Sequence, residues 1–186
     1  VRPGHPVILG VISDAQTPIV GVPGYPVSAA LTGEIFVEPL LAEWLGRETR
    51  PANTLQAAIT RKITSPAGDD DYVRVAVGDV EGRALAAPLS RGSGVITSLV
   101  RADGLVIIPR GSQGLPPGSD VTVLLTRTRE EIRQTIFAVG SHDISLDILA
   151  QYLAKRNRRL TSANVGSLAG IMALKRRESH LAGAHL

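Results

Sequence analysis

The chain has 186 residues, 44% of them hydrophobic, with 20 basic against 17 acidic side chains, which is material for one domain or two small ones with a buried core. A net charge of +3 and only 3% aromatic residues argue against a nucleic-acid partner, for which a basic face and stacking platforms are needed. Cysteine is absent, which excludes disulfides and thiolate metal sites, and no apolar run reaches the roughly 18 residues of a membrane span.

No signal peptide opens the chain, so the cytoplasm is the expected location, with no membrane partner. The basic runs Lys155, Arg156, Arg158, Arg159 and Lys175, Arg176, Arg177 read as solvated helix ends that complement the helix dipole. The chain starts at Val1 and stops in the apolar run HLAGAHL, so a fragment of a longer protein is expected.

Residues 1–48 read strand, strand, helix. PVILGVIS and TPIVGV are β-branched runs bounded by Pro and Gly. From Val27 the apolar residues Leu31, Ile35, Leu41 and Leu45 recur near helical spacing, Pro39 predicts a kink or a second helix start, and Gly46 a stop. Residues 52–126 carry almost no helical signal. TLQAAITRKITS, DYVRVAVGDV, RALAAPLS, GVITSL, GLVIIP and DVTVLLT are short runs parted by turn residues, which predicts a small antiparallel β-barrel or sandwich. TRTREEIR reads as a linker or joining helix. Residues 134–186 then read strand QTIFAVG, a helix from Ser141 to Lys155, strand RLTSANV, helix GSLAGIMALKRRE and strand HLAGAHL, a βαβαβ unit of a parallel sheet about half the usual size. In the first of these helices Ile144, Ile148, Leu149, Tyr152 and Leu153 share a face. The expected fold class is therefore α/β and β, multidomain: the end of an α/β domain (1–48), a β-barrel-like domain (52–126) and a partial parallel-sheet unit (134–186).

Chemistry is concentrated first in GVPGYPVS, residues 21–28. A strand ends at Val22, Pro23-Gly24-Tyr25-Pro26 turns the chain, and Pro26 suits a first helical position. Ser28 then offers a hydroxyl near the open amides of the first turn, a corner receptive to an anion. A plain turn with a serine cap fits the same spacing. There is no P-loop, since the Gly-Lys-Ser/Thr ending is missing. Asp69, Asp70 and Asp71 read as a solvated hairpin turn, not a magnesium site, and His5 and His180 as surface residues.

PGYPVS resembles the PGNPVS motif of the molybdopterin molybdenumtransferases, the family that includes the E domain of gephyrin. RPGHP (2–6) is similar to that family's basic-Pro-Gly-Lys-Pro turn, YVRV (72–75) to its arginine-bearing strand, and PLSRGSGVITSLVRADGLVIIP (88–109) to its C-terminal β module, in the same order. The resemblance covers about residues 1–126. It implies insertion of molybdate into adenylylated molybdopterin with release of AMP, a requirement for Mg2+, and elongated homodimers. It implies that Pro23, Gly24 and Ser28 line the pterin and molybdate pocket, with Arg74, Ser93 and Ser98 approaching from the β module. Taken singly, Arg74 equally fits an exposed strand position, and Ser93 and Ser98 fit turns. The family's Asn is replaced by Tyr25. Its glycine-rich loop and metal-binding acidic residues are absent from this sequence, so Mg2+ is expected to be bound mainly outside this chain and the fragment to be inactive alone.

GSHDISLDIL and the sequence from Thr161 onward look like the periplasmic binding protein-like domain fused to some prokaryotic members of this family. That resemblance makes Ser141 and Ser167, each after a glycine and before a helix, candidate oxyanion-binding residues, with ordinary helix capping as the other reading. His142 and His185 are neighbours of such a pocket and poor metal ligands. The alternative functions are a molybdate sensor or delivery protein, or a non-catalytic assembly scaffold.

Overall fold

The computed structural model describes residues 2–14, 16–48, 52–91 and 96–185. Two strands, β1 (Ile8–Ile12) and β2 (Thr17–Gly21), pair antiparallel with each other from Ile8↔Gly21 to Ile12↔Thr17. The expected end of an α/β domain is thus a hairpin and a helix, with no parallel strand among the described residues of this segment.

The helical run that follows is interrupted in the manner Pro39 dictates. Helix α1 (Pro26–Thr32) passes through a π-helical stretch, Gly33–Val37, into α2 (Glu38–Trp44). Pro39 has no N–H to give to the preceding turn, and the widened turn bridges the gap, with the Glu38 amide reaching back five residues to the Gly33 carbonyl. The end at Gly46 is a Schellman motif. Gly46 lies at φ +59°, its amide bonds to Glu43 O, and the Arg47 amide bonds to Ala42 O. Val27 and Leu31 are fully buried against Leu105, with Tyr72, Leu99 and Leu124 alongside, which fixes α1 to the next module.

That module is a closed barrel of β3 (Thr54–Ile59), β5 (Asp71–Val80), β6 (Arg83–Pro88), β7 (Gly104–Ile108) and β9 (Asp120–Leu125), in the order β3-β6-β5-β7-β9. Closure removes the sheet edges and selects the barrel over the sandwich. One seam departs from the antiparallel expectation, since β3 and β6 pair parallel through Ala58↔Leu85 and Ile59↔Ala86. A two-residue pair, β4 (Ile63–Thr64) with β8 (Gly114–Leu115), sits outside the barrel. The interior is aliphatic: Ile59, Val73, Val75, Val77, Val106, Ile108 and Val123 are almost fully buried.

One segment departs from its sequence reading. GVITSL was expected as a strand, but Thr97–Arg101 forms a short helix, α3. Its turn lets Ser98 sink out of solvent and sets Leu99 against the Val27–Leu31 cluster, burial that a strand through this point would not give. TRTREEIR is a joining helix, α4 (Arg129–Arg133), with a capping box between Thr128 and Glu131. Its Ile132 joins the barrel core, so the segment plugs the barrel as well as leading out of it.

The last unit is β10 (Thr135–Gly140), α5 (Ile144–Ala154), β11 (Arg159–Asn164), α6 (Ser167–Lys175) and β12 (Leu181–Gly183), with all strands parallel in the order β11-β10-β12. It shares a core with the barrel: Phe137, Val139, Ala163 and Ala173 pack on Ala58, Ala76, Leu85 and Ala87. Gly78 is required there, because a Cβ on it would stand 2.5 Å from Phe137. Asp103, with no solvent exposure, sits beside this junction. It accepts from the Val77 amide at 2.8 Å, lies 3.5 Å from Arg127 Nε and is hydrogen-bonded by Arg159 Nη2 of β11. The outer faces of the unit are bare, with Ile144, Ile148 and Tyr152 of α5 and Leu168 of α6 all more than half exposed.

Candidate functional site: a cationic cavity on strand β5

Register brings distant residues together at the start of β5. The Arg2 amide donates to Asp70 O at 2.8 Å and the Tyr72 amide to Arg2 O at 2.7 Å, so the Arg2–His5 turn runs beside the strand as an extra parallel bridge. The first turn of α1 adds Tyr25 and Ser28. Here lies a cavity of about 320 Å³, walled by Arg2, His5, Tyr25, Ser28, Asp71, Tyr72, Arg74 and Arg91 among others.

Its charges are arranged in two tiers. Deep in the wall, Asp71 is buried and already engaged, accepting from Ser65 Oγ at 2.8 Å and pairing with Arg91 at 3.1 Å. Arg74 is buried too and donates from Nη2 to Ser90 O at 3.0 Å. Burial lowers the Arg74 pKa, the neighbouring Arg91 lowers it further, and Asp71 pulls it back. At the rim, Asp69 receives Arg2 Nε at 3.0 Å and His5 Nε2 at 2.9 Å, and Asp70 pairs with Arg110 at 2.8 Å. The hydrogen bond from Arg2, and then that from His5, holds the Asp69 carboxyl below its ordinary 3.8, and Arg110 does the same for Asp70. The wall therefore carries three arginines and a histidine against one buried carboxylate, a setting suited to an oxyanion.

The residues named from sequence do not all meet here. Ser28 and Arg74 do. Ser28 is not the cap of α1. Tyr25 is the N-cap and makes no side-chain cap bond, while Ser28 is buried one turn in. Pro23 is buried and Gly24 exposed in the turn before Tyr25, and the wall is formed by Tyr25 and Ser28 instead. Ser93 lies outside the described residues. Ser98 is buried in α3 and opens on a second cavity, with Arg61, Arg101 and Ser162.

Ser141 and Ser167 come together with Oγ atoms 2.9 Å apart at the carboxyl edge of the parallel sheet. Neither caps a helix by its side chain. Asp143 caps α5 through the Ser145 amide, and Gly166, at φ +85°, precedes α6. Ser167 Oγ also accepts from the His185 amide at 3.2 Å, so His185 does adjoin the pair. His142 sits 3.4 Å from Asp147.

One sequence reading is corrected, while His5 and His180 are exposed as expected. Asp71 is not part of a solvated turn: it opens β5 as a buried, paired carboxylate. His5 has an exposed ring but forms part of the cavity wall, a role carried in the sequence by the RPGHP turn. His180 is exposed as a residue, yet its Nδ1 accepts the Phe137 amide at 2.9 Å and so ties down β10. Arg2, Tyr72 and Arg91 also form the wall, and each lies in one of the motifs RPGHP, YVRV and PLSRGSG without its type or spacing marking that role.

The donor set does not fit magnesium. Among the described residues there is no group of three His, Asp or Glu able to hold a metal ion, and the cavity's one buried acid is committed to Arg91 and Ser65. Among the described residues, no helix is long and apolar enough to cross a membrane.

Residues 56–126 match the MoeA C-terminal region (domain IV). The chain is 35% identical over 127 residues to a putative molybdopterin biosynthesis protein of Methanocaldococcus jannaschii, covering 68% of this chain and 28% of that protein. It is 32% identical over 128 residues to the molybdopterin molybdenumtransferase of Bacillus subtilis, covering 68% and 29%. Among solved structures, a molybdopterin biosynthesis MoeA protein from Pyrococcus horikoshii superposes with TM-score 0.54 at 37% identity, over 68% of this chain and 30% of that one. A molybdenum cofactor biosynthesis protein from Pyrococcus furiosus gives 0.56 at 29%, over 67% and 42%. The chain thus spans under a third of the length of these two sequence relatives. Residues 56–126 thus match the MoeA C-terminal region (domain IV), within a chain similar over about two thirds of its length to the molybdopterin molybdenumtransferases.

Proposed function

We propose that this chain is the C-terminal portion of a molybdopterin molybdenumtransferase acting in molybdenum cofactor biosynthesis, and that its β5 cavity receives the oxyanion of the reaction. The observation that carries the reading is the meeting of Arg74 and Ser28 in one cationic cavity whose buried acid, Asp71, is already paired with Arg91. A buried guanidinium holds a tetrahedral oxyanion through charge-assisted hydrogen bonds, and a serine hydroxyl adds one more donor. In this role Arg74 binds and orients molybdate, or a phosphate of adenylylated molybdopterin, and Ser28 positions it from the α1 side. Arg2 and His5 add positive potential at the mouth. Tyr25 presents a phenol at the mouth, where the PGNPVS motif that this turn resembles has an asparagine. Homodimer formation, cytoplasmic location and a magnesium requirement belong to this same reading.

The test is AMP release by the full-length protein given adenylylated molybdopterin, molybdate and magnesium. Arg74→Gln is expected to lower turnover at least about tenfold, the usual loss on removing a charge-assisted contact. Ser28→Ala should lower turnover while changing stability by about 1 kcal/mol or less, since it removes a buried hydroxyl but no cap. Absence of AMP release by the wild-type protein sinks the enzyme reading. Unchanged turnover in both variants removes the cavity from it.

A second reading, molybdate sensing or delivery, rests on Ser141 and Ser167 standing side by side at the carboxyl edge of the parallel strands, where ligands of such sheets bind. Calorimetric titration of molybdate into wild type and the Ser141→Ala, Ser167→Ala double variant decides it, equal heats ruling the serine pair out.

A further inference from the structure

The cavity on which Ser98 opens is separate from the one above and is built by two modules jointly. The barrel side supplies Arg61, Ser90, Ser98 and Arg101, and strand β11 of the parallel unit supplies Ser162 and Asn164. Its volume is about 390 Å³, within the range of small-molecule sites. Among the described residues, the wall holds two guanidiniums, several hydroxyls and an amide, and no carboxylate. Arg101 has an acid 3.6 Å away, Asp147 of α5, which does not form the wall. Arg61 has none at ion-pair distance among the described residues, and its Nη2 donates to the Pro88 carbonyl. A guanidinium carries five N–H donors, so one carbonyl leaves most of them to be met by something else. The same group is half-buried, and burial lowers its pKa, the signature of a cation drawn partly out of water without a countercharge. Ser162 and Asn164, two residues apart, share one face of β11 while Thr161 and Ala163 are buried on the other.

We propose that this junction cavity binds a tetrahedral oxyanion, either as the free ion or as the head of a phosphomonoester, with Arg61 as the principal charge and Ser162 as a ligand from the parallel unit. The proposal does not rest on the transferase reading, because it uses neither Arg74 nor Ser28. Since its ligands come from both modules, occupancy holds the barrel and the parallel unit together and raises the melting temperature of the protein.

The experiment is titration calorimetry on the full-length protein with sodium molybdate, inorganic phosphate and glycerol 3-phosphate, beside a tungstate soak read by anomalous diffraction. The expected result is anomalous density within hydrogen-bond reach of Arg61 and Ser162, and affinity weakened roughly tenfold by Arg61→Gln and about threefold by Ser162→Ala. Ser162→Ala is a small change beside solvent and keeps the test valid if Arg61→Gln fails to fold. Tighter binding of glycerol 3-phosphate than of phosphate identifies an ester as the ligand, and the reverse identifies the free ion. Density confined to the β5 cavity or to the Ser141–Ser167 edge overturns the proposal. So does wild-type affinity in both variants, or no saturation by about 10 mM of any probe.

Discussion

The acids at positions 69–71 show how a single residue's setting is decided. Three consecutive aspartates look interchangeable in sequence, yet Asp69 and Asp70 hold arginines at the rim while Asp71 is buried beneath them. Both rim carboxyls have depressed pKa values in the folded state, so their stabilising contribution is present above the ordinary value of 3.8 and is lost as pH falls through the depressed folded value. Carbon-13 carboxyl titration is expected to give midpoints below 3.8 for both, and Arg2→Ala should raise the Asp69 midpoint while leaving that of Asp70. Equal, unperturbed midpoints would dissolve the rim as described. A second residue effect is at Arg177, which closes the end of α6 at φ +57°, with the Glu178 amide bonded to Ala173 O at 2.8 Å. A non-glycine residue is strained in this conformation, so Arg177→Gly is expected to stabilise the protein by up to about 1 kcal/mol, read from the denaturant midpoint.

Among the elements, the contact between β5 and β10 is the most demanding. Phe137, the largest fully buried side chain, lies against Gly78, where even a methyl group would collide with it. Gly78→Ala is expected to cost about 1–3 kcal/mol by overpacking, and Phe137→Ala about 3–5 kcal/mol by leaving a cavity. Chemical denaturation of both variants checks this, and a double variant less destabilised than the sum of the two would confirm that they meet. The elements themselves were largely legible, because strand alternation and helix spacing are local patterns. β5, β7, β9, β10 and β11 fall where the alternating or β-branched runs fall, and the stop at Gly46 is set by a glycine that needs a positive φ. The one element misread, Thr97–Arg101, is β-branched and apolar enough for a strand but too short to decide for itself. Its conformation follows the burial of Ser98 and Leu99 against other modules.

At the scale of the whole molecule, the barrel and the parallel unit are joined by an apolar seam and by the fully buried Asp103, reached by Arg159 of β11 and Arg127. Removing that carboxylate leaves the Val77 amide without its acceptor and the part-exposed Arg159 and Arg127 without their acid, so Asp103→Ala is expected to cost about 1–3 kcal/mol. A double-mutant cycle with Arg159→Ala should show a coupling above about 0.5 kcal/mol, and simple additivity would show that the two modules are not held through this pair. By itself the sequence determined the alternation of β-rich and α/β segments, the turns between them, and the motifs around Ser28 and Arg74. Each of these is written in residues close together in the chain. Only the tertiary structure decided which motifs share a cavity. Arg2, Ser28, Arg74 and Arg91 lie on four separate segments, and the bridge of Arg2 to Asp71 together with the packing of α1 on Leu105 brings them to one place. The same packing sent Ser98 into another cavity and turned Ser141 and Ser167 toward each other. Local periodicity fixes which way a side chain faces along its own element. What it faces depends on register and docking between elements remote in sequence, which no short stretch encodes.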